Sequence, residues 1–453
     1  MSEQPTVAVL TLGCKLNQAD TEAIARRLVA GGARVVAGAE KGADAFVINT
    51  CSVTHVADRK ARHLARLARR LSPNATIVLT GCYAETAPAD VARSAGADLV
   101  VGNDAKSAIP ALLLQRLRQR SNPADGCPAA GEASQRPDGP RRRRAQRAPV
   151  RGRPSGRTRA FVKIQEGCSE MCAFCIVPRT RGRERSRTVQ EVVDAVLARQ
   201  SEGVQEVVLT GTQLGNYGRD LGGDEPGPRR LLEALLEGTQ VRRIRLSSLQ
   251  AQDISPQLLR LWRDARLCPH LHLPLQSGSG DVLSRMRRRY TAQQFRHAVA
   301  LIRDHVPDVA ITTDVIAGFP GEADDDFEAT FSLCEETGFA AIHAFPYSRR
   351  PGTAANLMRD QVPAPVRRRR LERLLALAEE SAAAFRRRYV GREMPALWEE
   401  QKRGIWQGLT PNYIRVYTRA DGDLSNVIVP TRLVALQREG LSGETNPVGA
   451  LTA

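Results

Sequence analysis

No stretch of the 453 residues is apolar over the length a membrane span requires, about 20 residues, although 42% of the chain is hydrophobic. No membrane span is therefore expected. The start, Met-Ser-Glu-Gln-Pro-Thr-Val-Ala-Val-Leu10, lacks a basic region followed by an apolar stretch and runs straight into a strand-like segment. That argues against secretion and leaves the protein cytoplasmic. Acidic residues are also short, 49 against 66 Lys and Arg, for a net charge of +17. Such an excess calls for a polyanionic partner or a basic tail. Part of it is local, because residues 136–159 hold ten Arg against one Asp. That stretch, with Arg141 to Arg144 among Pro and Gly, cannot bury a core and is expected to be a mobile linker. It is either a solvated spacer or a direct nucleic-acid contact.

A disulfide framework is absent from the expectations as well. Nine cysteines in a cytosolic chain of this size point to metal or catalysis, since cytosolic thiols stay reduced. The seven histidines include no metal-binding pair at helical spacing, although His270 and His272 alternate on one strand and face either an interior or solvent. Cys127 in the basic stretch has no evident partner and reads as a bystander thiol, and Cys268 before Pro269 and Cys334 in a helical stretch read as core residues rather than ligands.

What is present is a CxxxCxxC triplet, Cys168, Cys172 and Cys175, that lacks a fourth thiol. Closed zinc sites and ferredoxin-type clusters take four ligands, so three on one short loop point to a cubane iron-sulfur cluster with one open iron. A zinc loop completed by a distant ligand such as His270 or His272 is the alternative.

The rest of the chain divides into three patterned parts. In residues 1–120, Val7–Thr11, Ala45–Asn49, Thr76–Thr80 and Asp98–Val101 read as buried parallel strands between amphipathic helices, an open α/β domain. The first three end in Cys14, Cys51 and Cys82. Carboxyl ends of parallel strands share one edge, so these thiols are expected to converge and to hold a second cluster with an open iron. Gly13 and Gly81 would let backbone approach it closely.

Between residues 158 and 347, six strand candidates alternate with helices: Ala160–Gln165, Glu206–Thr210, Arg243–Ser247, His270–Leu275, Ala310–Ala317 and Ala340–Phe345. This is a partial (β/α)6 barrel with chemistry at the strands' carboxyl ends, and the cysteine loop follows the first strand as that rule demands. Other polar or glycine-rich ends are Thr210–Gly215, Ser247-Ser248, Gln276–Ser279 and Gly318–Glu322. After a helical stretch from Arg367 to Val390, short strands at Pro395–Glu399, Ile405–Gly408, Tyr413–Thr418 and Asn426–Pro430 indicate a small antiparallel barrel. Tyr413, Arg415 and Tyr417 alternate with Ile414 and Val416, an aromatic and cationic face suited to RNA.

The triplet with Phe174 just before its last cysteine resembles the radical S-adenosylmethionine (SAM) enzymes, in which SAM chelates the open iron. That resemblance implies that Phe174, Gln213, Ser247, Ser248, Gln276, Gly318 and Gly321 hold the cofactor. The chain as a whole is similar to the methylthiotransferases. It implies a methylthiotransferase domain over 1–120, the linker over 121–157, a radical-SAM barrel and following helix over 158–380, and a TRAM-like RNA-binding domain over 381–453. It further implies two [4Fe-4S] clusters, on Cys168, Cys172 and Cys175 and on Cys14, Cys51 and Cys82, with SAM, tRNA, an external electron donor and a sulfur source as partners. The reaction implied is insertion of a methylthio group at an unactivated C–H bond, where acid-base catalysis has nothing to act on. Thr11–Asn17, Val47–Thr54, Thr80–Ala84 and Lys163–Cys168 look most like the MtaB type, which acts on N6-threonylcarbamoyladenosine beside the anticodon. Branches acting on isopentenyladenosine or on a ribosomal-protein aspartate are the enzymatic alternatives, and a zinc-containing RNA-binding protein is the non-enzymatic one.

Overall fold

The computed structural model describes residues 4–86, 88–121, 158–222 and 226–445. The basic linker, with Arg141 to Arg144 and Cys127, lies outside the described residues.

The N-terminal part is an all-parallel sheet of β1 (Thr6–Thr11), β2 (Arg34–Ala37), β3 (Ala45–Thr50), β4 (Thr76–Gly81) and β5 (Leu99–Val101), ordered β2-β1-β3-β4-β5. β3 and β4 are buried at every position, because helices cover both faces of the sheet. One of these, α2 (His55–Leu71), turns Ala61, Ala65 and Ala68 inward, and small residues at this spacing let it lie close. Thr54 caps it, accepting from the Ala57 amide at 3.3 Å. β2 is visible only in the fold: four half-exposed residues at the sheet edge carry no usable alternation.

The central part contains β6 (Arg159–Lys163), a short hairpin of β7 (Gln165–Glu166) and β8 (Arg185–Ser186), then β9 (Glu206–Thr210), β10 (Arg243–Leu246), β11 (His270–His272), β12 (Ala310–Ala317) and β13 (Ala341–Pro346). β10-β9-β6 and β11-β12-β13 are parallel sheets, joined by a bridge between Ile244 and Leu267. The six long strands thus form one curved wall with helices outside, the partial barrel the alternation predicts. Cys334 packs in its core and Cys268 is buried.

The helix Ala364–Arg387 leads to a closed barrel of β14 (Glu393–Lys402), β15 (Ile405–Leu409), β16 (Arg415–Thr418), β17 (Ile428–Gln437) and β18 (Gly440–Thr445). β18 is a fifth strand beyond the four expected, and its Gly440, Ser442 and Gly443 give it little intrinsic strand character. The barrel's core of Trp398, Trp406 and Val416 continues through Phe385 and Tyr389 to Ala310 of β12, so the two parts share one packed interior. Among the described residues no helix is long and apolar enough to cross a membrane.

Candidate active site between two cysteine triplets

Each N-terminal cysteine stands where a strand gives way to a helix. Cys14 is the N-cap of α1 (Lys15–Ala30), Cys51 follows β3, and Cys82 opens α3 (Cys82–Thr86) directly after β4. Gly13 takes φ +102°, and a Cβ there would lie 2.6 Å from Cys51 Cβ and 3.0 Å from its sulfur, so the turn carrying Cys14 rests on Cys51. Gly81, at φ +96°, brings β4 equally close to the backbone of Thr50. Burial pushes the Cys51 thiol up to about 11, and the adjacent Cys82 and Cys14 push the same way. The three sulfurs, remote in sequence, occupy one place at the sheet's carboxyl edge.

The second triplet lies on the loop after β7. The Cys175 amide donates to Cys172 O at 3.1 Å and the Cys168 amide to Gly182 O at 3.0 Å, which folds the loop so that its sulfurs converge. Burial, reinforced by the neighbouring thiols, drives Cys168 up to about 12 and Cys175 up to about 11. A metal bound here would have to displace these protons, because cysteine ligates as the thiolate. The Glu170 amide and Arg288 Nη1 each donate to a sulfur, Cys168 and Cys172 respectively, at 3.4 Å. His270 and His272, the distant ligands a zinc loop requires, are engaged elsewhere: His270 stacks on Tyr413 at 4.6 Å, and His272 hydrogen-bonds Thr312 at 2.9 Å.

The two triplets face each other. Cys82 is near enough to Cys175 to act on its thiol, and a cavity of about 250 Å3 opens between Val53 and Thr54, beside Cys51, and Phe174 and Cys175. Gln276, Asp314, Ile316 and Phe345 to Ser348 complete its wall.

The residues expected to hold a cofactor are distributed unevenly about this cavity. Phe174 and Gln276 line it, and Phe174 meets Phe319 edge-on at 6.5 Å. Gln213 and Ser247 do not line it, but both are buried with Nε2 and Oγ lacking partners in the protein. Ser248 is half-buried. Gly318 and Gly321 spend their amides internally, on Glu322 at 2.7 Å and Asp360 O at 2.6 Å. Two open thiol triplets, orphaned buried polar atoms and an intervening cavity fit a pair of iron-sulfur clusters with a bound small molecule.

The expected RNA face is corrected by the fold. Tyr413 precedes β16, takes φ +69° and turns inward, where Arg245 and Arg159 lie 4.7 and 5.6 Å from its ring centroid. Tyr417 is 3% exposed. Only Arg415 is open to solvent, paired with Glu439 at 2.8 Å. Alternation put Arg415 and Tyr417 on one side of a strand, but Tyr413 lies before that strand and turns against arginines of the central part, and Arg438 covers Tyr417 at 5.7 Å while Arg415 beside it stays open.

Three basic residues beside the site were invisible in the sequence. Arg181 donates to Asn17 Oδ1 at 2.5 Å and Glu166 at 2.5 Å, which sets a cation beside Cys82 and Cys14. Lys106 and Lys163 grip Asp20 at 2.7 and 2.6 Å, holding its carboxyl well below the ordinary range in spite of burial. Among 66 basic residues nothing in local pattern singles these out.

Residues 162–334 match the Radical SAM superfamily and residues 6–102 match Uncharacterized protein family UPF0004. Threonylcarbamoyladenosine tRNA methylthiotransferase MtaB of Bacillus subtilis is 37% identical over 438 residues, spanning 95% of this chain and 94% of that one. The protein of the same name in Aquifex aeolicus is 36% identical over 90% of this chain and 96% of its own. The chain belongs to the MtaB-type radical-SAM methylthiotransferases. The tRNA-2-methylthio-N(6)-dimethylallyladenosine synthase of Caldicellulosiruptor saccharolyticus is also similar, 31% identical over 97% of this chain and 92% of that one. Among solved structures, the radical SAM methyltransferase TsrM of Kitasatospora setae shares the fold, with a TM-score of 0.54 and 15% identity over 78% of this chain and 74% of that one. This methylthiotransferase is therefore an enzyme that uses SAM and [4Fe-4S] clusters.

Proposed function

We propose that the enzyme adds a methylthio group to C2 of N6-threonylcarbamoyladenosine beside the anticodon of tRNA. The observation that carries this is the cavity closed between two cysteine triplets, in a chain similar along its length to enzymes named for that nucleoside. Cys168, Cys172 and Cys175 hold the cluster that binds SAM, and Cys14, Cys51 and Cys82 hold the auxiliary one. When bound, SAM and the clusters supply the methyl group, the hydrogen-abstracting radical and the site of sulfur attachment, chemistry that no protein side chain provides. The chain's own residues position and shield. Phe174, Phe319 and Tyr347 form a contiguous aromatic wall, with centroids at 6.5 and 5.5 Å, that excludes water from the reacting atoms. Gln213, Ser247 and Gln276 offer polar contacts to the cofactor, and Arg181 and Arg288 neutralise negative charge at the two thiolate sets. We further assign the enzyme to the cytoplasm, with an electron donor and a sulfur source as external partners, because the chemistry needs both.

Comparing modified nucleosides in tRNA from cells with and without the gene tests this reading. Loss of 2-methylthio-N6-threonylcarbamoyladenosine is the expected result. Loss of the dimethylallyl derivative instead would transfer the enzyme to that substrate.

A further inference from the structure

Behind the cavity the barrel lumen is charged, and one of its charges is unmatched. Lys15 follows Cys14 and reaches from the N-terminal domain into the barrel, its Nζ 5.9 Å from the Tyr413 ring centroid. Among the described residues no acceptor hydrogen-bonds or ion-pairs with that ammonium. The carboxylate acting on it, Glu206, is fully buried and already committed to Arg245 at 2.8 and 3.1 Å, with Arg243 and Arg159 at 3.8 and 3.9 Å. Nor does Lys15 serve the neighbouring thiols, whose adjacent cation is Arg181.

The walls around Lys15 are polar. Asp314 of β12 stands opposite His343 of β13, and Thr312, two residues earlier, stands opposite His272 of β11, so all four face one way. His272 Nε2 lies 3.3 Å from Asp314 Oδ2, and the ligating atoms of His272, Asp314 and His343 fall within 4.8 Å of one another. Burial lowers the basicity of His343 and His270, and Lys15 is close enough for its charge to act in the same direction. Asp314 also lines the cavity between the triplets and stands beside His343, on which the charge of Lys15 acts, so a group extending from that cavity past Asp314 and His343 approaches Lys15. The His-Asp-His set would hold a cation only against the charges of Lys15 and Arg245. An anionic ligand with hydrogen-bond donors of its own suits the whole lumen better.

We propose that Lys15 determines specificity by binding the carboxylate of the amino-acid substituent on N6 of the target adenosine, while Asp314 accepts from that substituent's N–H or O–H groups and His272 and His343 line its path. The inference rests on the threonylcarbamoyl reading above. An apolar dimethylallyl substituent brings no anion and leaves the ammonium desolvated and unpaired, which disfavours it.

The test compares tRNA carrying N6-threonylcarbamoyladenosine with the same tRNA whose threonyl carboxylate has been converted to the carboxamide. Wild type, Lys15→Met and Lys15→Arg are used as cluster-loaded enzymes matched for iron content. The carboxamide is expected to cost wild type about 10- to 100-fold in kcat/KM, mainly through KM, the range for losing one charged hydrogen bond. Lys15→Met is expected to lose a similar factor on the natural tRNA and almost nothing more on the carboxamide, and Lys15→Arg to keep most of the discrimination. An equal carboxamide penalty in wild type and Lys15→Met would overturn the proposal. So would a wild type indifferent to the carboxamide, a measurement that does not depend on any variant folding. A wild type that modifies only dimethylallyladenosine tRNA would instead overturn the substrate reading itself.

Discussion

Arg350 of the barrel donates through both terminal nitrogens to the carboxylate of Asp58 on α2, at 2.8 to 3.0 Å, with both side chains largely buried. The same guanidinium reaches the backbone carbonyl of Ser52 and, at 2.7 Å, its hydroxyl. Ser52 follows Cys51, so this contact ties the N-terminal triplet to the barrel beside the cavity between the two triplets, the gap in which the proposed function puts the substrate base.

Breaking that clasp should therefore harm more than stability. Arg350→Met leaves Asp58 buried without its cation, at a cost of about 3–5 kcal/mol. Thermal unfolding of the cluster-loaded enzyme should show this, and Asp58→Asn in the same chain should recover part of the loss. SAM cleavage should continue while methylthio product per SAM consumed falls. An unchanged product yield per SAM would show that the clasp does not set the gap.

The two triplets should fail separately. Replacing Cys168, Cys172 and Cys175 by Ala should abolish SAM cleavage and spare auxiliary-cluster absorption, whereas replacing Cys14, Cys51 and Cys82 should do the reverse. Iron and sulfide content with electron paramagnetic resonance would check it. Loss of both clusters from either folded variant would show that the sites depend on each other.

Asp253 gives a pH signature. Burial raises its carboxyl to about 6 although it accepts from the Gln250 amide at 2.8 Å. The raised value means the folded state binds the proton more tightly than the unfolded chain, so stability falls as pH rises from about 4 through about 6. Asp253→Asn should match wild type near pH 4 and exceed it by about 1 kcal/mol at pH 8, allowing for partial exposure. Thermal melts at both pH values would reveal an absent or inverted difference.

RNA affinity should reside in exposed arginines of the C-terminal barrel rather than in its tyrosines. Arg403, Arg415, Arg432 and Arg438 are exposed. Changing all four to Gln should weaken tRNA binding and reduce the salt slope by about 0.7 for each single-strand phosphate that is no longer neutralised. An unchanged slope would move RNA binding to another surface. Deleting the barrel is a poorer test, since Arg243 donates to Leu409 O at 2.9 Å and Arg245 to Pro411 O at 2.8 Å, and both would be orphaned.

The sequence by itself determined the cysteine chemistry and the order of the parts. CxxxCxxC is a local spacing, and Cys14, Cys51 and Cys82 could be gathered without coordinates because the carboxyl ends of parallel strands share an edge. The strands of the barrel were legible for a similar reason: fully buried strands such as Glu206–Thr210 are written as apolar runs between helices. Only the tertiary structure decided which charges meet. Arg181, Arg288 and Arg350 look like any other arginine until distant elements bring Asn17, Cys172 and Asp58 to them. The same limit misplaced Tyr413 and Tyr417 on an open face. Period-two alternation puts Arg415 and Tyr417 on one side of a strand, but which of them a neighbour covers, and that Tyr413 leaves the strand to turn inward, depends on packing between parts remote in sequence. Lys15 shows both levels at once, its place beside Cys14 set by the chain and its unpaired position in the lumen set by how the N-terminal domain docks on the barrel.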